Sequence, residues 1–381
     1  MDKKILFNAG FFKHIRRYTM LIALVSIWLI FSFLTDGIFI SPRNLSNLFV
    51  QTVAVAIIAI GMTLVIVTRN IDLSVGSVAA LAGAVAAFLQ VKMGWPTTSV
   101  IAAALIVGVL IGIWHGFWIA YRAVPAFIVT LASMMVFRGL VLGVTNGTTI
   151  APLSDSFKAI GQSYVSPHLS ALIGILVIVA YIFLDFNRRR QRIKYGFKVT
   201  RLPLEVLKLF LISSAIAGIF AIMIFNRGVH CAVLLVMVLA LIFYFIAEHT
   251  VFGRQLYAIG GNPDAAELSG LNIKKSVMLL YVIFGALTAV SGLVLTARLN
   301  AATTSAGQGM ELDVIAAAVI GGTSLMGGEG TIIGSVIGAL IMASLDNGMS
   351  LMNTNITYQY IIKGLILLLA VWVDIATRNK A

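Results

Sequence analysis

Apolar stretches long enough to cross a membrane recur along the whole chain, separated by short polar gaps. A helix rises about 1.5 Å per residue, so about 20 apolar residues span the ~30 Å hydrocarbon layer of a bilayer. The pattern predicts an all-α, polytopic helical membrane protein of about 10 to 12 transmembrane or re-entrant helices in a single domain, residues 1–381. The predicted segments are 18–34, 47–67, 73–91, 98–121, 124–144, 168–186, 205–226, 229–247, 276–297, 311–325, 331–351 and 357–374.

Composition supports the membrane assignment and narrows the chemistry. Hydrophobic residues make up 60% of the chain and charged residues 11%, whereas a soluble domain carries about 25% charged residues. Cys231 is the only cysteine and lies in an apolar stretch, which excludes a disulfide framework and a cysteine-rich metal site.

The positive charges orient the chain. Of its 27 Lys and Arg residues, 20 fall in alternate gaps, chiefly in 1–17, 187–208 and 248–275. Cytoplasmic loops carry such an excess, so we expect both termini in the cytoplasm. The net charge of +13 then reflects loops that face anionic lipid, and it requires no nucleic acid partner.

Two further gaps have informative sequences. The polar gap 145–167 falls on the outer face in this topology, where it docks an external partner, gates a pathway or serves as a solvated connector. The cytoplasmic gap 248–275 contains a predicted short helix that Asn262 caps, Pro263 begins and Gly270 closes. Capping leaves open whether this helix is a plain connector or contacts a partner.

Glycines cluster in 319–338. Gly330, Gly334 and Gly338 form two overlapping small-xxx-small repeats, which predict close helix packing in lipid. The stretch 327–330 breaks the helix, so 311–330 is a candidate re-entrant or pathway segment. The dipeptide Gly-Lys is absent from the chain, and a phosphate-binding P-loop requires it.

Acidic residues near the apolar stretches are candidates for helix capping or for lining a substrate passage. Asp72, Glu311 and Asp313 each begin an apolar run, whereas Asp346 and Asn347 form a polar pair near the end of one. The histidines are scattered, and neither a zinc-protease nor a serine-hydrolase motif occurs, so we predict no enzymatic activity and no metal site.

Four stretches together resemble a known family: 71–77, 124–131 with 138–140, 253–271 and 317–330. They are similar to those of the membrane permease subunits of bacterial ABC importers for monosaccharides, in the ribose, galactose and xylose branch. The length and the basic region 187–208 resemble most the xylose and multiple-sugar permeases.

This resemblance implies the ABC importer permease fold and uptake of a monosaccharide across the bacterial inner membrane, with xylose or a related sugar as the expected substrate. It implies a cytoplasmic ATPase that holds ATP and magnesium, a periplasmic sugar-binding protein that meets the loops 145–167 and 298–310, and a second copy of the permease. This chain itself would bind no cofactor. The alternative is an ion-coupled secondary sugar transporter that acts without an ATPase.

The resemblance and the positions of polar residues also identify candidate functional residues. Those expected to couple to the ATPase are Gly260, Gly261, Asn262, Pro263, Ala265, Ala266, Glu267, Ser269 and Gly270. The candidates for lining the pathway are Asp72, Ser74, Asn300, Asp346 and Asn347.

Overall fold

A computed structural model describes residues 20–197, 199 and 201–378, so the predicted N-terminal segment 1–17 lies outside the described residues. The described elements are helices, and α3 and α4 each continue into a π-helical turn, Phe88–Lys92 and Phe117–Tyr121. The helices are α1 (Met20–Leu34), α2 (Pro42–Val67), α3 (Val75–Ala87), α4 (Thr97–Gly116), α5 (Ala126–Thr145), α6 (Asp155–Gln162), α7 (Pro167–Lys194), α8 (Leu202–Asn226), α9 (Cys231–His249), α10 (Val251–Gly261), α11 (Pro263–Leu268), α12 (Ile273–Leu299), α13 (Met310–Ile320), α14 (Ile332–Leu351) and α15 (Ile356–Arg378).

Among the described residues, ten helices are long and apolar enough to cross a membrane, which confirms the predicted polytopic all-α fold. They are α2 to α5, α7 to α9, α12, α14 and α15, with the π turns included in α3 and α4. Capping serines and prolines mark the start of two of these helices. Ser41 caps α2 and Ser166 caps α7 through their side chains, each followed by a proline in the first turn, where its missing N–H costs nothing.

The remaining predicted segments differ from full spans. The described part of α1 has 15 residues. Helix α13 has 11 residues, a length of about 16 Å that covers roughly half of the hydrocarbon layer. It follows the turns of residues 304–309, so the region predicted to span at 311–325 is a half-helix preceded by irregular backbone.

Helices α2, α3, α12 and α14 form the buried centre of the bundle. Glycines let the backbones touch. A Cβ on Gly338 would overlap the carbonyl oxygen of Ala317, and one on Gly334 would overlap that of Gly321. The close packing predicted from the glycine repeats is therefore confirmed for Gly334 and Gly338, and it lies between α14 and α13.

Helices α7 and α8 lie at the periphery and few of their residues are buried. The segment 187–208 was predicted as a loop, but most of it is helical, since α7 continues to Lys194 and α8 begins at Leu202. Ion pairs between Lys208 and Asp185, and between Arg189 and Glu205, join the two helix extensions. Charged residues end the apolar run but do not end a helix, which explains the difference.

The helices alternate between two ends of the bundle. At one end, Gly328 N donates a hydrogen bond of 2.9 Å to Val67 O, next to α10. At the other end, isolated β-bridges join Ile150 to Ala302 and Tyr164 to His230. We call these the connector end and the bridge end. The gap 145–167 lies at the bridge end and contains α6.

Candidate functional site

The connector, residues 251–268, comprises α10 and α11. Asn262 Oδ1 accepts a hydrogen bond of 3.1 Å from Ala265 N and caps α11, and Pro263 occupies its first turn. Gly270 follows with φ +83°, a left-handed conformation that favours glycine. The short helix predicted from these capping residues is therefore present.

Helix α11 presents most of its surface to solvent. Ala266 is its only buried residue, while Leu268 is 90% exposed. Ser269 Oγ donates a hydrogen bond of 2.7 Å to Ala265 O and closes the helix. The exposed side chain of Leu268 lies on a helix whose ends are already capped. A partner can therefore cover this side chain without refolding the helix.

The connector is tied to the bundle at its glycine pair. Arg69, just after the end of α2, donates from Nε to Gly260 O and from Nη2 to Gly261 O, both at 2.7 Å. A Cβ on Gly260 would overlap Val67 O and lie 2.6 Å from Gly328 N. Three segments therefore meet here backbone to backbone: the end of α2, the end of α10 and the turn between α13 and α14.

Tyr257 adds a second tie between α10 and that turn. Its hydroxyl donates a hydrogen bond of 2.8 Å to Gly330 O. Burial, assisted by the charge of Glu248, raises the pKa of Tyr257 to about 12, so the phenol keeps its proton at neutral pH and continues to donate.

Two of the predicted pathway residues, Asp72 and Ser74, are enclosed by α3, α4 and α5. Asp72 is 2% exposed, and its Oδ1 accepts hydrogen bonds from Ser74 N and Ser74 Oγ at 2.7 and 2.6 Å. Its Oδ2 lies 3.5 Å from Nδ1 of His115. These contacts fix the backbone that leads into α3.

The other three predicted pathway residues lie towards the bridge end. Asn300 caps the end of α12 with φ +53° and accepts a hydrogen bond of 2.9 Å from Leu153 N. Asn347 donates to Asn44 Oδ1 at 3.1 Å and to Gln51 Oε1 at 3.3 Å. Asp346 is the member of this group that takes part in an ion pair.

Asp346 belongs to a triad of charged side chains from three helices. Lys363 Nζ on α15 lies 2.8 Å from Asp346 Oδ2 on α14 and 2.9 Å from Asp313 Oδ2 on α13. The three side chains border a cavity of about 440 Å³, which we call the triad cavity. Residues of α2, α12 and the turns 305–308 complete its wall.

Sequence reasoning nominated Asp346 for the pathway and named Asp313 as a candidate for capping or lining, but it missed Lys363 as a site residue. Lys363 is a lysine inside an apolar stretch, a placement that is costly in lipid and typical of functional pairs. That signal was available, but it does not identify which acids the lysine meets. Arg69 and Tyr257 gave no signal, because their partners are backbone carbonyls far away in the sequence.

The described residues contain no group of three or more histidine, cysteine, aspartate or glutamate side chains arranged to hold a metal ion. The site has two parts. One is the connector with its capped helix α11, which is tied to the end of α2 and to the turn between α13 and α14. The other is the charged triad cavity toward the bridge end. Neither arrangement supplies a nucleophile with its base.

Comparison with known proteins places these features in context. The sequence profile of a family described as "Branched-chain amino acid transport system / permease component" matches residues 44–371. The "Xylose transport system permease protein XylH" of Haemophilus influenzae is 46% identical over 95% of this chain and 97% of that protein, and its namesake in Escherichia coli K12 is 46% identical over 96% and 93%. The "Ribose import permease protein RbsC" of Escherichia coli K12 is 38% identical over 93% and 92%. No solved structure matches the chain.

Proposed function

We propose that this chain, which belongs to the family described as "Branched-chain amino acid transport system / permease component", is the transmembrane permease subunit of an ATP-driven importer for xylose. The observation that carries the proposal is the near full-length identity of 46% to two permeases named for xylose. A permease named for ribose is less similar, at 38%. The family description refers to amino acids, but these full-length relatives are named for pentoses.

In this function the chain is a transport subunit and makes or breaks no covalent bond. A cytoplasmic ATPase holds ATP and magnesium, and a periplasmic sugar-binding protein delivers the sugar. The proposal includes a second copy of the permease, so that two chains enclose the pathway. It also orients the connector end and both termini toward the cytoplasm, in line with the excess of basic residues there.

The connector is the proposed contact with the ATPase. Its coupling residues include Gly260 and Gly261, which receive the hydrogen bonds of Arg69, and the exposed helix α11. Because α10 is tied to the end of α2 and to the turn after α13, movement of α11 would be passed to the helices that border the triad cavity. ATP-driven closure of the ATPase would in this way change the state of the pathway.

The proposed pathway passes the triad cavity. Asp346 borders this cavity, and Asn347 binds Gln51, another residue of its wall. Asn300 lies where α12 meets the 145–167 region, which is the proposed face for the binding protein. Asp72 and Ser74 would act on the pathway indirectly, by holding the start of α3.

An ion-coupled transporter that acts alone is the second candidate, and one observation favours it. A buried carboxylate, Asp313, and a half-buried one, Asp346, lie beside a lysine, and such intramembrane acids are the kind on which proton or sodium coupling depends. The two functions differ in whether an ATPase is needed.

The deciding experiment purifies the tagged chain from its native membrane and identifies the proteins that accompany it. The complex is then placed in liposomes with the xylose-binding protein from the same cells. We expect an ATPase to co-purify, its turnover to rise with xylose-loaded binding protein, and xylose uptake to require ATP. Uptake by the chain alone under an ion gradient would overturn the proposal in favour of the second candidate.

A further inference from the structure

The triad cavity has two acceptor atoms that the protein leaves unused. Oδ1 of Asp313 and Oδ1 of Asp346 are buried and have no hydrogen-bond partner among the described residues. Asp313 is only 8% exposed, and Lys363 contacts the Oδ2 atom of each carboxylate. Buried polar atoms in folded proteins are normally paired, so these two oxygens indicate a donor that comes from outside the chain.

We infer that the triad cavity binds one neutral, polyhydroxylated solute, a monosaccharide, inside the permease itself. This inference rests on the proposed function and deepens it, because it assigns sugar recognition to the permease and names the side chains responsible. The hydroxyl groups of the sugar supply the donors that Asp313 and Asp346 lack.

The charge balance of the wall selects a neutral ligand. Asp313 and Asp346 are matched by Lys363 and by Arg298, which also borders the cavity. A cation entering the cavity meets an ammonium and a guanidinium group, and an anion meets two carboxylates. A neutral solute incurs neither repulsion, and each of its hydroxyl groups can both donate and accept.

The rest of the wall suits a sugar in size and chemistry. Gln51 and Gln308 offer amides that donate and accept, while Ala54 and Met342 provide apolar surface for the C–H groups of a sugar ring. The volume of about 440 Å³ lies within the range of known small-molecule sites, about 300 to 1,000 Å³.

The irregular backbone next to the cavity supports a ligand site. Residues 305–308 line the cavity as turns rather than as helix. Arg138, within α5, donates from Nη1 to Ala306 O at 2.9 Å and to Thr304 O at 3.2 Å. Non-helical backbone within a membrane domain is tolerated where protein buries it or where it lines a cavity, and transporters place their substrates at such breaks.

The test uses the whole importer in lipid nanodiscs, with Ser350→Cys as a reporter at the cavity wall and Cys231→Ala to remove the native thiol. Ser350 borders the cavity and is exposed. The rate of maleimide modification is measured against D-xylose concentration without the binding protein. We expect xylose to slow modification saturably, and Asp346→Asn to raise the half-protecting concentration about tenfold, the loss expected for a hydrogen bond to a charged group.

Asp185→Asn is the matched control, because it also removes a carboxylate paired with a lysine, but on α7, outside the cavity wall. It should leave the protection unchanged. Asp346→Glu keeps the charge and shifts the carboxylate by one methylene, so it should weaken protection even if Asp346→Asn does not fold. Monodisperse elution of each complex reports folding.

An importer that moves xylose with no protection of Ser350→Cys, or with equal protection in Asp346→Asn, Asp346→Glu and the parent, would refute this inference alone. The triad would then serve only to pack α15 against α13 and α14. An importer that moves no xylose would refute the proposed function, and this inference with it.

Discussion

At Gly260 the space for a side chain is occupied by the backbone of two other segments. A Cβ there would overlap Val67 O, whereas a Cβ on the neighbouring Gly261 would meet nothing within 4 Å. Both glycines lie in the last turn of α10. We call the contact of Gly260 with Val67 and Gly328 the junction. Alanine at each glycine of the pair in turn distinguishes the steric requirement of this junction from the general preference of helices for alanine over glycine.

We expect Gly260→Ala to lower the thermal stability of the solubilised protein and Gly261→Ala to raise it slightly. Overpacking of a close contact costs about 1 to 3 kcal/mol of unfolding free energy, while alanine for glycine in a helix changes it by about 1 kcal/mol in the favourable direction. Thermal unfolding followed by loss of monodisperse protein measures both variants. Equal unfolding temperatures would show that the junction is not closely packed.

Sequence reasoning named both glycines and could not distinguish them. The cap at Asn262 and the turn at Gly270 are local patterns, so they were predictable from neighbouring residues. The overlap at Gly260 depends on Val67 and Gly328, which are distant in sequence, and no local pattern reports such a contact.

Between elements, Arg69 is the side chain that ties α2 to α10. Its two hydrogen bonds end on the carbonyls of Gly260 and Gly261, which precede α11. Arg43, at the start of α2, is exposed at the opposite end of the same helix. The two arginines therefore provide a matched pair for testing whether the connector drives the bundle.

We expect Arg69→Gln to retain ATP hydrolysis stimulated by xylose-loaded binding protein but to move several-fold less xylose per ATP, because α11 would still bind the ATPase while α10 loses its side-chain hydrogen bonds to the end of α2. Arg43→Gln should keep the parent ratio. The measurement is parallel ATPase and uptake rates in proteoliposomes. An unchanged ratio in Arg69→Gln would show that movement reaches the pathway by another route.

The elements differ in how far sequence predicts them. The long spans follow from hydropathy alone, since lipid requires about 20 apolar residues in succession. The charged extension of α7 to Lys194 was missed, because charge marks where the hydrocarbon ends and not where the helix ends. The half-helix α13 was nominated as a possible re-entrant segment, but its bounds depend on packing against α14.

At the scale of the whole molecule, the two ends of the bundle should face opposite sides of the membrane. Thr149 lies in the exposed part of the 145–167 region at the bridge end, and Leu268 is exposed on α11 at the connector end. In a Cys231→Ala background, each position can carry a single reporter cysteine.

We expect a membrane-impermeant maleimide to label Thr149→Cys in intact cells, and to label Leu268→Cys only after the cells are permeabilised. The reason is the excess of basic residues around the connector, which stays on the cytoplasmic side. Labelling of Leu268→Cys in intact cells would reverse the orientation, and with it the assignment of the ATPase to the connector.

The fold class was predictable at this scale, but the triad cavity was not. The three residues of the triad come from α13, α14 and α15, and only the packing of these helices brings Lys363 between Asp313 and Asp346. Hydropathy predicts that each helix lies in the membrane, but it does not predict which faces of the helices contact each other.

The junction at Gly260 has a mechanical consequence for the cavity. The turn after α13 is held to Val67 at one end, while Gly307 and Gly309, just before α13, have φ values of +68° and +77°, which glycine adopts more readily than other residues. Gly307 is also packed on Gly76 of α3, since a Cβ on either glycine would overlap the carbonyl oxygen of the other. Helix α13 is therefore held at both ends, so in the proposed importer a push on the connector would shift α13 as a unit, and the Asp313 carboxylate would change its contact with a bound solute in the same movement.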